Sequence, residues 1–303
     1  MSAAETDVMM RENVATRDVA TRDATTRDAA MKNVVIKLGG ELLEPKSEAE
    51  LLAIAGDVRT MLDEGVAVTV VHGGGPQTTA LAKRLGQTPN VIAGRRITDD
   101  AALETLLFAV AGKLNVLLVG AFQRAGVSAV GLSGVSARLI GCARRPPRVV
   151  AGGGPDPIDF GHVGDVVDVN VHLLRCLQTA GYLPVVACIG ADADGRPFNI
   201  NADIVANDVA IALNADDLML ITGAPGVLRS MGDLASRIPS LSLAEARQAI
   251  DEGVVQGGMI PKLEESFRAI EAGVGCVHIL GQLVPGDLVR ARAQPGVVGT
   301  RLS

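Results

Sequence analysis

The run Val34-Val-Ile-Lys37-Leu-Gly39-Gly40 sets a lysine near the end of a β-branched stretch and follows it with two glycines. A strand that turns on glycines brings backbone N–H groups, unobstructed by a Cβ, close to a ligand beside a cation, and that is the chemistry of phosphate cradling. A second apolar run, Val66 to Val71, ends in His72-Gly73-Gly74-Gly75-Pro76, a glycine loop whose proline suits the first turn of a helix. Asn199, Asn201 and Asp203 alternate along the approach to a helix spanning about 202 to 213. Side chains at alternate positions can point together into one cleft, and Asn201 or Asp203 can equally serve as that helix's cap. Gly257-Gly258-Met-Ile-Pro-Lys262 carries a lysine into a further helix, where taken alone it reads as a solvated surface charge.

These segments need a frame. The chain has 303 residues, 48% apolar but only 2% aromatic, so its core must be built from Val, Leu, Ile and Ala, as in parallel sheets covered by helices. No apolar run approaches the length of about 18 residues that crosses a bilayer, and the N-terminus lacks a signal peptide's basic start and apolar middle, so a cytoplasmic protein is expected. The formal charge of −6, with acids and bases interspersed, leaves no basic block for a nucleic-acid backbone or an anionic membrane. Cys142, Cys176, Cys188 and Cys276 lie far apart without a Cys-x-x-Cys, and His72, His162, His172 and His278 are scattered. No metal cage of side chains is visible, and Cys188 and Cys276 read as small buried hydrophobes.

Residues 1–31 stand apart, with Val-Ala-Thr-Arg-Asp twice and then Ala-Thr-Thr-Arg-Asp. A five-residue period advances about 140° net around a helix, so no apolar stripe forms. The segment is either a mobile tail or a helix used in subunit assembly. From Asn33 onward strand-like and helix-like segments alternate, which predicts a parallel α/β sheet. Ser47-Glu-Ala-Glu50 predicts a capping box and a helix to about Glu64, and Ser242-Leu-Ala-Glu245 a second box. Thr98-Asp99-Asp100 opens a long helix with Leu103, Leu106, Leu107, Val110, Leu114, Leu117, Leu118 and Ala121 at helical spacing. Residues 141–164 read as hairpins and loops, with Gly152-Gly153-Gly154-Pro155 a turn; strands are predicted over Leu183 to Ile189, Leu218 to Thr222 and Cys276 to Leu280. Two glycine loops after two strands of one sheet would share the carboxyl edge where open α/β folds bind ligands.

The combination Lys37-Leu-Gly-Gly, His72-Gly-Gly-Gly, Gly94-Arg95-Arg96-Ile-Thr-Asp99, Asn199-Ile-Asn-Ala-Asp203 and Gly258-Met-Ile-Pro-Lys262 resembles the amino acid kinase family, over about residues 33–303 and in the family's order. The likeness extends to Gly112-Lys-Leu-Asn115, Val130-Gly-Leu-Ser-Gly134 and Val163-Gly-Asp-Val-Val-Asp-Val-Asn170. It implies an open, mainly parallel eight-stranded sheet between helices, with an acyl-amino-acid lobe over about 32–208 and a nucleotide lobe over about 209–303, following the 1–31 tail. Within the family the chain is most similar to the members that phosphorylate N-acetyl-L-glutamate on its γ-carboxylate, in arginine biosynthesis. The runner-up is a related acid: an aminoadipate derivative, aspartate or carbamate. The resemblance implies ATP as phosphoryl donor, Mg²⁺ held mainly by the nucleotide, no metal held by protein ligands, and a homo-oligomer, dimer or hexamer.

By position, Lys37 resembles the lysine that contacts the transferring phosphoryl group, Lys262 the second lysine on the nucleotide side, and Asp203 the carboxylate that holds both. Gly39 and Gly40 are similar to the phosphate cradle, and Gly74, Gly75, Arg96 and Asn199 to the residues that hold the acyl amino acid. Two departures stand out. Gly223 replaces an Asp common beside the nucleotide, and Gly286 and Ala291 occupy positions where arginine-inhibited relatives carry His and Glu, so weak or absent inhibition by arginine is expected. Neither glycine loop spells the Gly-x-Gly-x-x-Gly of a Rossmann-type dehydrogenase, and a non-catalytic nucleotide-binding module could dispense with both lysines and Asp203.

Overall fold

Alternation along β1 (Asn33–Leu38) sends Val35 to one core and Val34, Ile36 and Leu38 to another on the opposite face, and all four are buried. β2 (Ala67–His72) divides likewise, Val71 to the first core and Val68 and Val70 to the second. Full burial of each such side chain contributes roughly 1.5–3 kcal/mol, and a strand buried on both faces is apolar along most of its length. These assignments come from a computed structural model that describes residues 31–303 apart from 93, 151 and 231. The repeat-bearing tail read above lies outside the described residues.

Beyond β2 the strands are β3 (Val91–Ile92), β4 (Arg95–Arg96), β5 (Ala129–Ser133), β6 (Ile140–Arg144), β7 (Gly164–Val169), β8 (Leu183–Ala187), β9 (Ile189–Ala191), β10 (Pro197–Asn199), β11 (Asp217–Ile221), β12 (Ser240–Leu241), β13 (Cys276–Leu280) and β14 (Thr300–Leu302). The helices are α1 (Glu48–Asp63), α2 (Gly75–Arg84), α3 (Asp100–Arg124), α4 (Val171–Thr179), α5 (Ala202–Leu213), α6 (Leu243–Asp251), α7 (Met259–Glu271) and α8 (Asp287–Ala293). The main sheet is eight-stranded in the order β12-β14-β13-β11-β1-β2-β8-β5 and parallel except where β14 runs against β13. β1 sits inside it, flanked by β2 and β11, so the chain leaves β1 to one side and returns to its other side much later. Ligands of open α/β sheets bind at such a reversal, outside the carboxyl ends of the strands.

Three expectations change. The predicted strand 183–189 is two strands: at Cys188 the chain leaves the main sheet and enters a four-stranded sheet, order β10-β9-β6-β7, which carries Asn199. A continuous apolar run cannot reveal where a strand changes sheets. The capping box at Ser47 does not form; Ser47 Oγ donates to Glu41 O at 3.1 Å, and Glu50 is drawn away to accept from Leu283 N at 2.9 Å. The box at Ser242 and Glu245 forms as expected. Third, α3 is long and apolar enough, by length and composition, to cross a membrane. Half of its apolar window is buried in the fold, as for a helix covering a sheet, and Lys113 and Asn115 interrupt the run. Its middle, Leu107–Leu114, is π-helical; beyond it Leu118 and Ala121 are buried as the spacing predicts, while Leu117 is exposed.

Candidate active site

Lys37 is the fifth residue of β1, at its carboxyl end, and is buried. Its Nζ lies 3.0 Å from Asp203 Oδ1. Asp203 is the second residue of α5, whose cap is Asn201: Asn201 Oδ1 accepts from Asp203 N at 2.9 Å. The two sequence readings of this segment are therefore divided between residues, with Asn201 as the cap and Asp203 free to turn its carboxylate to Lys37. From the first turn of α7, Lys262 Nζ donates to Asp203 Oδ2 at 2.7 Å. Burial pushes the Asp203 carboxyl up, but the two ammonium groups outweigh it and hold the group below the ordinary 3.8. One half-buried carboxylate thus fixes two cations, one oxygen each, from segments far apart in the chain.

The glycines provide the backbone surface. Gly39 is extended (φ −69°, ψ 153°), and a Cβ there would lie 2.9 Å from Glu41 Oε2 and 3.3 Å from Ile221 O. A Cβ on Gly40 would press on Pro76 Cδ at 2.8 Å, and Gln77 Nε2 donates to Gly40 O at 2.7 Å, which ties the β1 turn to the start of α2. Gly75 opens α2 with Pro76 in its first turn, so the free N–H groups of a helix N-terminus face the same space. Gly74 rests on α3, where a Cβ would drive into Leu114 Cδ1 and meet Val110 Cγ2 at 2.9 Å.

Arg96, on the β3–β4 hairpin, donates to Thr79 Oγ1 at 2.6 Å, and burial lowers its pKa, so its charge is partly stripped of water. Asn199 Nδ2 donates to Thr98 Oγ1 at 3.1 Å. Lys37, Arg96, Asn199, Asp203 and both glycine loops line one cleft of about 490 Å³. Lys262 reaches that space through Asp203, while its neighbours Glu264 and Glu265 lie on the wall. The sequence reading missed Arg145 and Arg148 there. Arg145 is buried and held by Asp165 at 2.5 Å; Arg148 has its pKa lowered by burial and then by Arg145. The sequence shows the charge cluster Arg144-Arg145-Pro-Pro-Arg148, but in a loop-like stretch such a cluster carries no sign that it faces a cleft. Cys188 also lines the cleft, its thiol pushed up to about 11 by burial.

At the opposite edge of the sheet the expectation for Cys276 and the histidines needs correction. Asp217, Cys276 and His278 place their ligating atoms within 4.8 Å of one another. His278 Nε2 donates to Asp217 Oδ1 at 2.9 Å, Cys276 Sγ donates to the same oxygen at 3.2 Å, and Arg292 Nε donates to Oδ2 at 3.3 Å. Parallel register pairs Asp217 with Cys276 across 59 residues, a proximity that linear spacing cannot show. Burial and then Asp217 push the Cys276 thiol up to about 12, and Arg292 already engages the carboxylate. A protonated thiol and a paired carboxylate make this trio a hydrogen-bonded staple joining β11, β13 and α8.

Residues 32–281 match the profile of the Amino acid kinase family. The chain is 51% identical over 271 residues to acetylglutamate kinase of Anaeromyxobacter dehalogenans, covering 89% of this chain and 98% of the relative. It is 51% identical over 269 residues to acetylglutamate kinase of Sorangium cellulosum, covering 89% and 94%. Among solved structures it is similar to N-acetylglutamate synthase from Neisseria gonorrhoeae complexed with coenzyme A and N-acetyl-glutamate, at a TM-score of 0.74 and 25% identity; 90% of this chain is covered, but only 59% of the synthase. The fold is shared with Giardia carbamate kinase, at a TM-score of 0.62 and 16% identity over 90% of this chain and 99% of that one.

Proposed function

Because the chain belongs to the amino acid kinase family, we infer that it transfers the γ-phosphoryl group of ATP to the γ-carboxylate of N-acetyl-L-glutamate, forming an acyl phosphate in arginine biosynthesis. The observation that carries the chemistry is Asp203 holding Lys37 and Lys262 on its two oxygens at the edge of a glycine-lined cleft. The nucleophile is a carboxylate with a solution pKa of about 4.3, already ionised at neutral pH, so no general base is required. The barrier lies in bringing two anions together and spreading charge over the phosphoryl oxygens, which fixed cations and backbone N–H groups stabilise.

Lys37 contacts the transferring group from the acyl side and Lys262 from the nucleotide side, while Gly39 and Gly40 cradle the phosphates. Gly74, Gly75, Arg96 and Asn199 hold the acyl amino acid, with the planar fork of Arg96 suited to its free carboxylate. The narrow space at Gly39, which a Cβ would fill, fits a phosphate against bare backbone. Mg²⁺, bound mainly through the nucleotide, adds positive charge to the phosphates when present. Residues 32–208 form the acyl lobe and 209–303 the nucleotide lobe. The enzyme works in the cytoplasm as a homo-oligomer, a dimer or a hexamer, without a nucleic-acid or membrane partner.

Gly286 and Ala291 offer neither an imidazole nor a carboxylate where arginine-inhibited relatives carry His and Glu, so arginine inhibits weakly or not at all. The deciding experiment is an ATP-dependent hydroxamate assay across N-acetylglutamate, aspartate, glutamate and aminoadipate, with and without arginine. Turnover confined to N-acetylglutamate is expected; preference for another acid would replace the substrate, and inhibition at sub-millimolar arginine would overturn the regulatory reading.

A further inference from the structure

His72 ends β2 with its ring wholly buried beneath the glycine loop. Its Nδ1 lies 2.9 Å from Gly73 O, and its Nε2 lies 3.0 Å from Asn115 Nδ2. A carbonyl can only accept, so Nδ1 carries the proton and Nε2 is left to accept from the amide. Asn115 Nδ2 also donates to Val185 O on β8 at 3.0 Å. Burial drives the His72 pKa down to about 4, so the neutral ring keeps these directions throughout the neutral range. Neither His72 nor Asn115 lines the cleft.

Asn115 follows the π-helical stretch Leu107–Leu114 directly. The same stretch supplies Val110 and Leu114, on which Gly74 rests, so one irregular segment of α3 supports the loop through both apolar and polar contacts. On the far side Gly131 of β5 leaves room for the amide, since a Cβ there would drive into Asn115 Oδ1. π-helical insertions occur frequently at functional sites, and buried polar groups hydrogen-bonded in this way restrict one another's geometry.

We propose that Asn115, acting through His72, is a positioning residue that sets the Gly73–Gly75 loop for the acyl amino acid. The proposal rests on the assignment of that loop to the acyl side of the cleft. Misplacement of a substrate-holding backbone by a fraction of an ångström weakens substrate use without touching the nucleotide side.

The test is steady-state kinetics with N-acetylglutamate and ATP varied separately, on Asn115→Ala and on Gly131→Ala, which displaces the amide without deleting any polar group. Each is expected to raise KM for N-acetylglutamate about tenfold while KM for ATP stays within about twofold. A proportionate change in both constants, or in neither, overturns the proposal. Arg96→Ala serves as the acyl-side control. If it leaves the N-acetylglutamate KM unchanged, the acyl-side assignment fails and the proposal with it; if it raises that KM while the other two variants do not, positioning alone fails. Should neither variant fold, the unaltered protein decides: ¹⁵N spectra of the His72 ring are expected to show the Nδ1–H tautomer at pH 7 and to shift on adding N-acetylglutamate. An Nε2–H tautomer, or a ring insensitive to that substrate, overturns it.

Discussion

The two edges of the main sheet carry similar ingredients to different ends. At the carboxyl edge Asp203 divides its oxygens between Lys37 and Lys262; at the amino edge Asp217 divides its oxygens between His278 and Arg292. Burial pushes both carboxyls up, and in both their partners prevail and hold the group below 3.8. Room for a ligand does not separate them, because a cavity of about 530 Å³ opens beside Asp217 and Cys276, against about 490 Å³ at Lys37. The difference lies in the backbone. The carboxyl edge offers glycine turns and the N-terminus of α2, whose N–H groups have no partner within the helix, while the polar side chains at the amino edge hydrogen-bond one another. A charge cluster becomes a candidate site where strand polarity adds unspent donors to it.

The contrast breaks most decisively at the lysines. Lys37→Ala or Lys262→Ala is expected to lower kcat by about 10²–10³-fold, as loss of a transition-state donor does, while the fold is kept because Asp203 retains its other lysine. Near-normal turnover in both would remove the clamp from the mechanism. Asp217→Ala should behave in the opposite way, losing about 3 kcal/mol in urea denaturation as a buried partner is stranded, with kcat unchanged. A loss of turnover comparable to that of Lys262→Ala would erase the distinction between the edges.

Acid sharpens the comparison next. The His72 pKa falls from 6.5 to about 4 in the folded protein, so between these values the unfolded chain binds more protons and stability declines as pH drops. The window is worth about 3 kcal/mol at 1.36 kcal/mol per unit, and denaturation at pH 6.5 and pH 4 measures it. Asp203 and Asp217, both depressed, contribute fully above 3.8 and are lost only as pH falls through their folded values, so the carboxyl edge weakens first and both edges fail together below that. The smallest effect is expected for Cys276→Ser. A hydroxyl can replace the thiol as donor to Asp217, so stability should change by about 1 kcal/mol or less, with kinetics untouched; a larger loss would mean that sulfur packing governs that edge.

Much of the frame was legible in the chain. β-branched runs mark β1, β2 and β13, helical spacing marks α3, and the segment 202–213 is a helix with an asparagine cap, because each is set by local propensity and burial pattern. Cleft-lining residues with a strong local reason, a lysine before two glycines or glycines before a proline, were legible too. Arg145 and Arg148 were not, since nothing local says that the loop after β6 folds over the cleft. Nor was the π-helical stretch of α3, which apolar spacing does not distinguish from an α-helix.

By itself the sequence determined which segments are buried strands, where the backbone can turn tightly, and which side chains are available as cations, because these depend on residues a few positions apart. The pairing of Asp203 with Lys37 and Lys262 was expected only through the family resemblance, and the tertiary structure alone decided that Asp217 meets Cys276 and His278 and that Asn115 lies against His72. Those meetings depend on strand order, register and helix phase, which are settled by the packing of the whole sheet and leave no local trace in the chain.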